Sequence, residues 1–293
     1  MSPVDWGMKR SFFIIVIMLF AFLMIRIVTL HPVNYNTRPD GFMKVHVLDV
    51  GQGDCILIQT PDGRNVLVDA GSPQSSGYVL KYLAAQGVKH IDLIIISHAH
   101  SGHIGGLPGV LSTFGVASVL LADNPESDIL YKRVHKLIED RRIRRRIAKQ
   151  DGKVYLGRDV TGRILWPSDK YAGGADDLST VLRVVYKDVS ILLLGDIGFE
   201  AEGGLLADNG EIRSTILKVA RHGSGDSTSN EFLQCVQPEY AVISAGINNS
   251  CGCPAGPALR RINATGAQLL RTDRVGAVVF KTDGHKIIVE TAK

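Results

Sequence analysis

Cysteine is scarce in this chain of 293 residues: there are four, at Cys55, Cys235, Cys251 and Cys253. An even number permits disulfides outside the cytoplasm. However, a single residue separates Cys251 from Cys253, and Cys55 sits inside an apolar run. A disulfide framework is therefore not expected, and Cys55 reads as a small buried hydrophobe. A strong charge bias is also missing. The formal net charge of +4 is too mild to imply a nucleic-acid partner by itself. Internal repeats and long low-complexity tracts are absent, which excludes solenoid and tethering architectures. The composition, 45% hydrophobic and 21% charged, is that of an ordinary globular protein. Its length suits one large α/β domain once the N-terminus is set aside.

The N-terminus is set aside because residues 11–30, SFFIIVIMLFAFLMIRIVTL, are apolar throughout except at Arg26. That length matches the roughly 20 residues needed to span a bilayer. Lys9 and Arg10 precede the run, so the start of the chain is expected to stay in the cytoplasm and the rest to lie outside. Arg26, near the far end, can snorkel to the interface. A cleaved signal peptide, and hence secretion, is the alternative, although the run lacks a clear A-x-A site. The expected organisation is a membrane anchor or signal segment at 1–31, a polar, proline-containing linker at 32–42, and one domain at 43–293.

Short alternating or aliphatic runs bounded by turn residues predict strands at 43–48, 55–59, 65–69, 91–97, 117–121, 163–166, 180–186, 189–194, 216–219, 240–244, 277–281 and 286–290. Helical spacing predicts helices at 78–86, ended by Gly87, and at 231–236. The longest helical candidate is 128–150, with Leu130, Val134, Leu137 and Ile138 along one face. Its end carries Arg141, Arg142, Arg144, Arg145 and Arg146, cations that a helix C-terminus favours. A solvated basic face is the plainer explanation of that run, and contact with the phosphates of nucleic acid or anionic lipid is the functional one. Early hairpins with interspersed helices imply two mixed sheets covered by helices, not a Rossmann crossover pattern.

The chemistry concentrates at His98-Ala99-His100-Ser101-Gly102-His103. The preceding run, Ile91 through Ser97, reads as a buried strand. Side chains at i and i+2 of an extended segment point the same way, so His98 and His100 project together. His103 can swing back through a tight turn, and Gly105-Gly106 lets the backbone fold sharply beyond it. Neutral imidazole is the commonest side-chain metal ligand, so this is the first half of a zinc-type site.

Six motifs occur in order: Asp49-Val50-Gly51-Gln52-Gly53-Asp54, Val68-Asp69-Ala70-Gly71, the histidine segment, Leu194-Gly195-Asp196, Leu217-Lys218-Val219-Ala220-Arg221-His222-Gly223-Ser224, and Asn248-Asn249-Ser250-Cys251-Gly252-Cys253-Pro254. Together they resemble the metallo-beta-lactamase superfamily, in its ComEC-like branch associated with competence and DNA internalisation. The resemblance implies a four-layer αββα sandwich with a metal site along one edge, standing alone without the multi-span membrane region of ComEC proteins. It assigns His98, His100, His103, Asp196 and His222 as ligands of one or two zinc or manganese ions. Asp69 and Asp54 match acidic positions that orient the ligands from behind.

The chain departs from the family pattern at the site itself. Gly102 stands where H-x-H-x-D-H has its aspartate, Arg221-His222 replaces paired histidines, and Cys251-Gly252-Cys253-Pro254 replaces Tyr-Gly-His-Pro. Three outcomes are open. One ion binds at His98, His100 and Asp196 with the second position weak or empty. Or Cys253 supplies a thiolate as a substitute ligand. Or the site binds no metal well.

The resemblance implies a metal-dependent hydrolase of the phosphodiesterase or nuclease type, acting on DNA or another phosphodiester outside the cytoplasmic membrane. No catalytic side chain is assigned, because a bound divalent ion can lower the pKa of its water to about 7. Arg221 is the candidate phosphate contact. The alternative is a catalytically impaired module that binds nucleic acid or a surface partner. A β-lactamase or thioester hydrolase shares the fold, but the Asp49–Asp54 and Arg221–Ser224 motifs argue against it. No protein partner can be inferred.

Overall fold

In a computed structural model, residues 41–122, 129–168, 171–208 and 211–293 are described. They belong to one compact unit, Pro39–Lys293. The first half of the chain supplies β1 (Met43–Val47), β2 (Ile56–Gln59), β3 (Asn65–Val68), α1 (Ser76–Ala85), β4 (His90–Ile91), β5 (Leu93–Ile96), α2 (Ser101–Ile104), α3 (Leu107–Thr113), β6 (Gly115–Val116), β7 (Ser118–Leu121), α4 (Ile129–Asp140) and β8 (Arg144–Ile147). The second half supplies β9 (Lys153–Gly157), β10 (Val160–Trp166), β11 (Val181–Tyr186), β12 (Val189–Leu193), α5 (Phe199–Asp208), β13 (Ile216–Lys218), α6 (Asn230–Val236), β14 (Tyr240–Ile243), α7 (Gly256–Ala264), β15 (Gln268–Arg271), α8 (Thr272–Val275), β16 (Val278–Thr282) and β17 (Ile287–Thr291).

Among the described residues these strands form an eight-stranded sheet, β17-β16-β1-β2-β3-β5-β7-β8, and a seven-stranded sheet, β15-β14-β13-β12-β11-β10-β9, with a small β4-β6 pair. Each large sheet is antiparallel in one part and parallel in the other. From β3 through β5 and β7 to β8 the pairing is parallel, as it is from β12 through β13 and β14 to β15.

The alternation of side chains along each strand sorts the apolar residues into three layers. Leu93 and Ile95 face the second sheet and share a core with Val45, Ile58, Ile191 and Val242. Ile94 and Ile96, on the other face of the same strand, pack with Val79, Leu83, Leu107 and Val134 from the helices. On the second sheet, Leu192 and Leu217 pack with Ala201, Phe232 and Ile262 from α5, α6 and α7. Helices, sheet, sheet, helices is the expected αββα order.

Three expectations need correction. The helix expected at 128–150 ends at Asp140, and residues 144–147 form strand β8, paired parallel with β7 in the register Ser118 to Arg144 and Leu121 to Ile147. Arg141 lies just past the helix end. Its guanidinium donates to the carbonyls of Leu111, Ser112 and Phe114 at the C-terminal end of α3. Arg144, Arg145 and Arg146 lie on an exposed edge strand, where charge blunts strand-to-strand association. The macrodipole therefore does not account for them.

The cysteine expectation changes as well. Cys251 and Cys253 are joined as a disulfide, with their Cα atoms 5.3 Å apart. Cys55 is buried and free, as a small core residue should be.

The expected single-pass membrane location is also corrected. Among the described residues no helix is long and apolar enough to cross a membrane. The apolar run at 11–30 lies outside the described residues, and so does the linker up to residue 40.

Candidate metal centre

The parallel strands of both sheets end on one edge of the sandwich, and the site is built from residues just beyond their C-terminal ends. Asp69 comes directly after β3, Ser97 and His98 after β5, Asp196 after β12 and Gly195, and Arg221 and His222 in the turn after β13. The two sheets are tied there by Thr180 N donating to Ser97 O at 2.8 Å. Asp69, Arg221 and His222 all adopt left-handed backbone, with φ of 56°, 49° and 53°. Non-glycine residues rarely hold this conformation, and it concentrates at functional sites.

Three imidazoles converge on Asp196. His98 Nε2 lies 3.8 Å, His103 Nε2 3.4 Å and His222 Nε2 3.5 Å from Asp196 Oδ2. His98 and His103 are buried, with ring centroids 4.1 Å apart.

The far nitrogen of each ring fixes its tautomer. His222 Nδ1 donates to the carbonyl of Ser244 at 3.1 Å. His103 Nδ1 donates to Asp69 Oδ2 at 2.7 Å. His98 Nδ1 faces the hydroxyls of Ser97 and Ser179 at 3.1 and 3.3 Å. Those hydroxyls donate their protons to Asp69 Oδ2 and Asp176 O, so Nδ1 is the donor here too. In its neutral form each ring therefore turns the lone pair of Nε2 toward the Asp196 carboxylate.

That arrangement repels itself unless a cation stands between. Nε2 of His98, Nε2 of His103 and Oδ1 of Asp196 are buried and lack a hydrogen-bond partner. Buried polar atoms are almost always satisfied. Nitrogen and carboxylate donors of this kind suit zinc, manganese or iron. The residues present thus fit a divalent ion, and His98, His103 and Asp196 have ligand atoms close enough together to hold one.

The electrostatics agree. Burial, with the neighbouring His103, lowers His98 to about 3, keeping it neutral. Burial opposes charge on Asp196, yet His103 and His222 hold its carboxyl well below the usual range. Burial likewise opposes charge on His103, yet Asp196 and Asp69 raise it well above the ordinary imidazole value. Without a cation, the proton on His103 screens the two carboxylates from each other.

Asp69 sits behind the site. It accepts from Ser97 N at 2.8 Å and Ser97 Oγ at 2.5 Å as well as from His103. Asp54 is placed differently from the expected orienting acid. Its Oδ1 is 3.9 Å from His222 Nδ1, while Oδ2 pairs with the buried Lys218 at 2.8 Å. His100 is half-exposed and turns to Asp176, with Nδ1 2.9 Å from Oδ1.

Cys253 is corrected as a substitute ligand, because a disulfide sulfur is not a thiolate. Arg221 does not present a free guanidinium to a phosphate. Nη1 is 2.8 Å from Asp226, and Nη2 is 3.3 Å from Asp176 and 3.6 Å from Asp177.

Two participants escape the sequence reading. Lys218 carries a signal: a lysine inside the apolar run from Ile216 to Val219 needs a buried partner. Asp176 carries only a weak one, an Asp-Asp pair after Gly173-Gly174 and just before a strand.

A family model described as the metallo-beta-lactamase superfamily matches residues 48–247. The chain belongs to that superfamily. It is 29% identical over 255 residues to ComE operon protein 3 of Bacillus subtilis, covering 81% of this chain and 33% of that protein. It is 32% identical over 246 residues to Competence protein ComA of Neisseria gonorrhoeae, covering 83% of this chain and 33% of that one. The chain thus spans about a third of the length of these curated relatives. A shorter stretch of 53 residues, 18% of the chain and 16% of the relative, is 47% identical to ribonuclease Z of Clostridium perfringens. Among solved structures, the metallo-beta-lactamase fold protein YhfI of Bacillus subtilis superposes with a TM-score of 0.56 at 12% identity, covering 82% of this chain and 100% of that one. That likeness shows the shared fold.

Proposed function

We propose that this chain is a hydrolase of phosphodiester bonds that works with a bound zinc or manganese ion. One observation carries the reading: lone pairs of His98, His103 and His222 face a single buried carboxylate, with no hydrogen-bond partner for His98 Nε2 or His103 Nε2. When bound, the ion would supply an activated water and a counter-charge for the phosphate. The residues that would hold it are His98, His100, His103, His222 and Asp196.

The remaining work belongs to the chain itself. Asp69 fixes the His103 ring, and the Ser244 carbonyl fixes His222. Ser97 and Ser179 fix His98. Each imidazole therefore presents Nε2 without having to reorganise. Asp196 remains ionised where the three imidazoles converge. Among the described residues, the serine hydroxyls beside His98, those of Ser97 and Ser179, donate to Asp69 Oδ2 and Asp176 O, which leaves a water to attack.

The choice of phosphodiester draws on the names of the similar proteins, which include a ribonuclease. It also draws on exposed Arg144, Arg145 and Arg146, which offer cations to a polyanion such as DNA.

A second reading is favoured by Gly102, which contributes no charge where the family has an acid. On this reading the chain binds nucleic acid without cleaving it. One experiment separates the two. The full chain is stripped with a chelator, then assayed on a bis(nitrophenyl) phosphate and on DNA as zinc or manganese is restored. The hydrolase reading expects activity to return with the ion in wild type and not in Asp196→Asn. Retained DNA binding with no turnover under any ion favours the binding module.

A further inference from the structure

We infer that Asp176 is the acid that replaces the one missing at position 102, and that Arg221 is a positioning residue that holds it in place. The inference rests on the metal-binding reading above. It concerns which of this chain's own residues complete the ligand set.

Position 102 is crowded, so a side chain there needs the neighbouring turn to give by a few tenths of an ångström. A Cβ there would lie 3.0 Å from Gln52 O and 3.3 Å from Gly53 Cα, and Asp54 N donates to Gly102 O at 3.3 Å. The Asp49–Asp54 turn packs directly on the glycine.

The acid comes instead from the opposite sheet, in the segment leading into β11. Asp176 Oδ1 is 2.9 Å from His100 Nδ1 and 3.8 Å from His98 Nε2. His98 is fully buried, and its Nε2 lacks a hydrogen-bond partner while lying equally far, 3.8 Å, from Asp176 and Asp196. The ligand atoms of His98, His100 and Asp176 fall close enough together to hold a single ion. With Asp196, this set has two negative charges, enough to balance one divalent cation.

The other oxygen of Asp176 is turned away from the histidines. Oδ2 is 3.3 Å from Arg221 Nη2, and the same guanidinium is 2.8 Å from Asp226 Oδ2 and 3.6 Å from Asp177 Oδ1. Those two acids are themselves anchored. Asp177 Oδ1 accepts from Gly198 N at 2.6 Å, and Asp226 Oδ1 accepts from Ser224 Oγ at 2.6 Å. Arg221 therefore forms a rigid bracket that orients Asp176 by its back oxygen. A planar fork can do this, and a lysine point charge cannot span all three acids.

The sign of the Arg221 effect makes the inference testable. If Arg221 acts only through its charge, removing it takes a cation away from a cation site and tightens metal binding. If it positions Asp176, removing it weakens binding. The full chain, stripped of metal, is titrated with Mn²⁺ and free ion is read by electron paramagnetic resonance. Far-UV circular dichroism and melting of each metal-free variant verify folding.

Wild type is expected to take one ion per chain. Asp176→Asn should weaken binding about 100-fold and Arg221→Ala about 10-fold, with Arg221→Lys between Arg221→Ala and wild type. The double variant should bind no more weakly than Asp176→Asn alone, since both act through one carboxylate. Co²⁺ loaded in place of Mn²⁺ should change its visible absorption in Asp176→Asn. Tighter or unchanged Mn²⁺ binding in Arg221→Ala, or unchanged binding in Asp176→Asn, overturns the inference while leaving the hydrolase reading standing. A wild-type chain that takes no ion overturns both.

Discussion

On the inner flank of the site, His103 and His222 are buried, and each is held from behind by Asp69 or the Ser244 carbonyl, with the Lys218–Asp54 pair packed alongside. On the outer flank, His100 is half-exposed, and its partner Asp176 depends on one arginine. The inner flank is part of the core: the same hydrogen bonds that aim its imidazoles also satisfy buried strand ends. The outer flank is attached to the core rather than built into it. Stability and ligand geometry are therefore one problem on the inner side and two on the outer side.

The largest expected contrast comes from Lys218. Lys218→Met leaves Asp54 charged, buried and unpaired, and should cost about 3–5 kcal/mol by urea unfolding. Adding Asp54→Asn should recover most of that loss. Next comes Asp69→Asn, which weakens three buried hydrogen bonds and should cost about 2–3 kcal/mol. It should also lower metal affinity about 10-fold or more, because the His103 ring loses its orientation. Gly102→Asp presses on the Gln52 carbonyl and should cost about 1–3 kcal/mol without adding a second ion, as elemental analysis would show. On the outer flank, Asp176→Asn should change the stability of the metal-free chain by no more than about 1 kcal/mol. A larger loss there would erase the distinction between the flanks.

A further contrast is the pH dependence of the metal-free chain. His103 is raised by folding, so its contribution is fully present below the ordinary imidazole value of 6.5 and is lost as pH rises through the raised value. His98 is lowered to about 3 from the same 6.5, so its burial destabilises the fold progressively as pH falls below 6.5. From these two groups, stability should peak near pH 6.5. His103→Asn should flatten only the alkaline limb and His98→Asn only the acid limb, measured by urea midpoints across pH.

Much of the architecture is legible because burial imposes a pattern. The Leu93–Ile96 run alternates between two cores, and its strand, its end and the histidines beyond it follow from that alone. Residues 144–147 mislead for the opposite reason. Three arginines and an isoleucine carry no period-2 apolar signal, and their strand geometry comes from pairing with β7. His98, His103 and Asp196 stand beside apolar strands, so local pattern points to them. Asp176 stands in a loop and reaches the site only because two sheets close face to face, which no window of sequence records. The disulfide escapes because close spacing argues against pairing, although a turn brings the two Cα atoms within range.

The division of the ligands between the two sheets has a consequence for how the protein is made. His98 and His103 belong to the first half of the chain, and Asp196 and His222 to the second. On the proposed metal-binding reading, a nascent polypeptide leaving the ribosome owns no complete ligand set until both layers have met. Capture of the proposed ion would thus be a late event in biogenesis, open only to a chain with both layers in place.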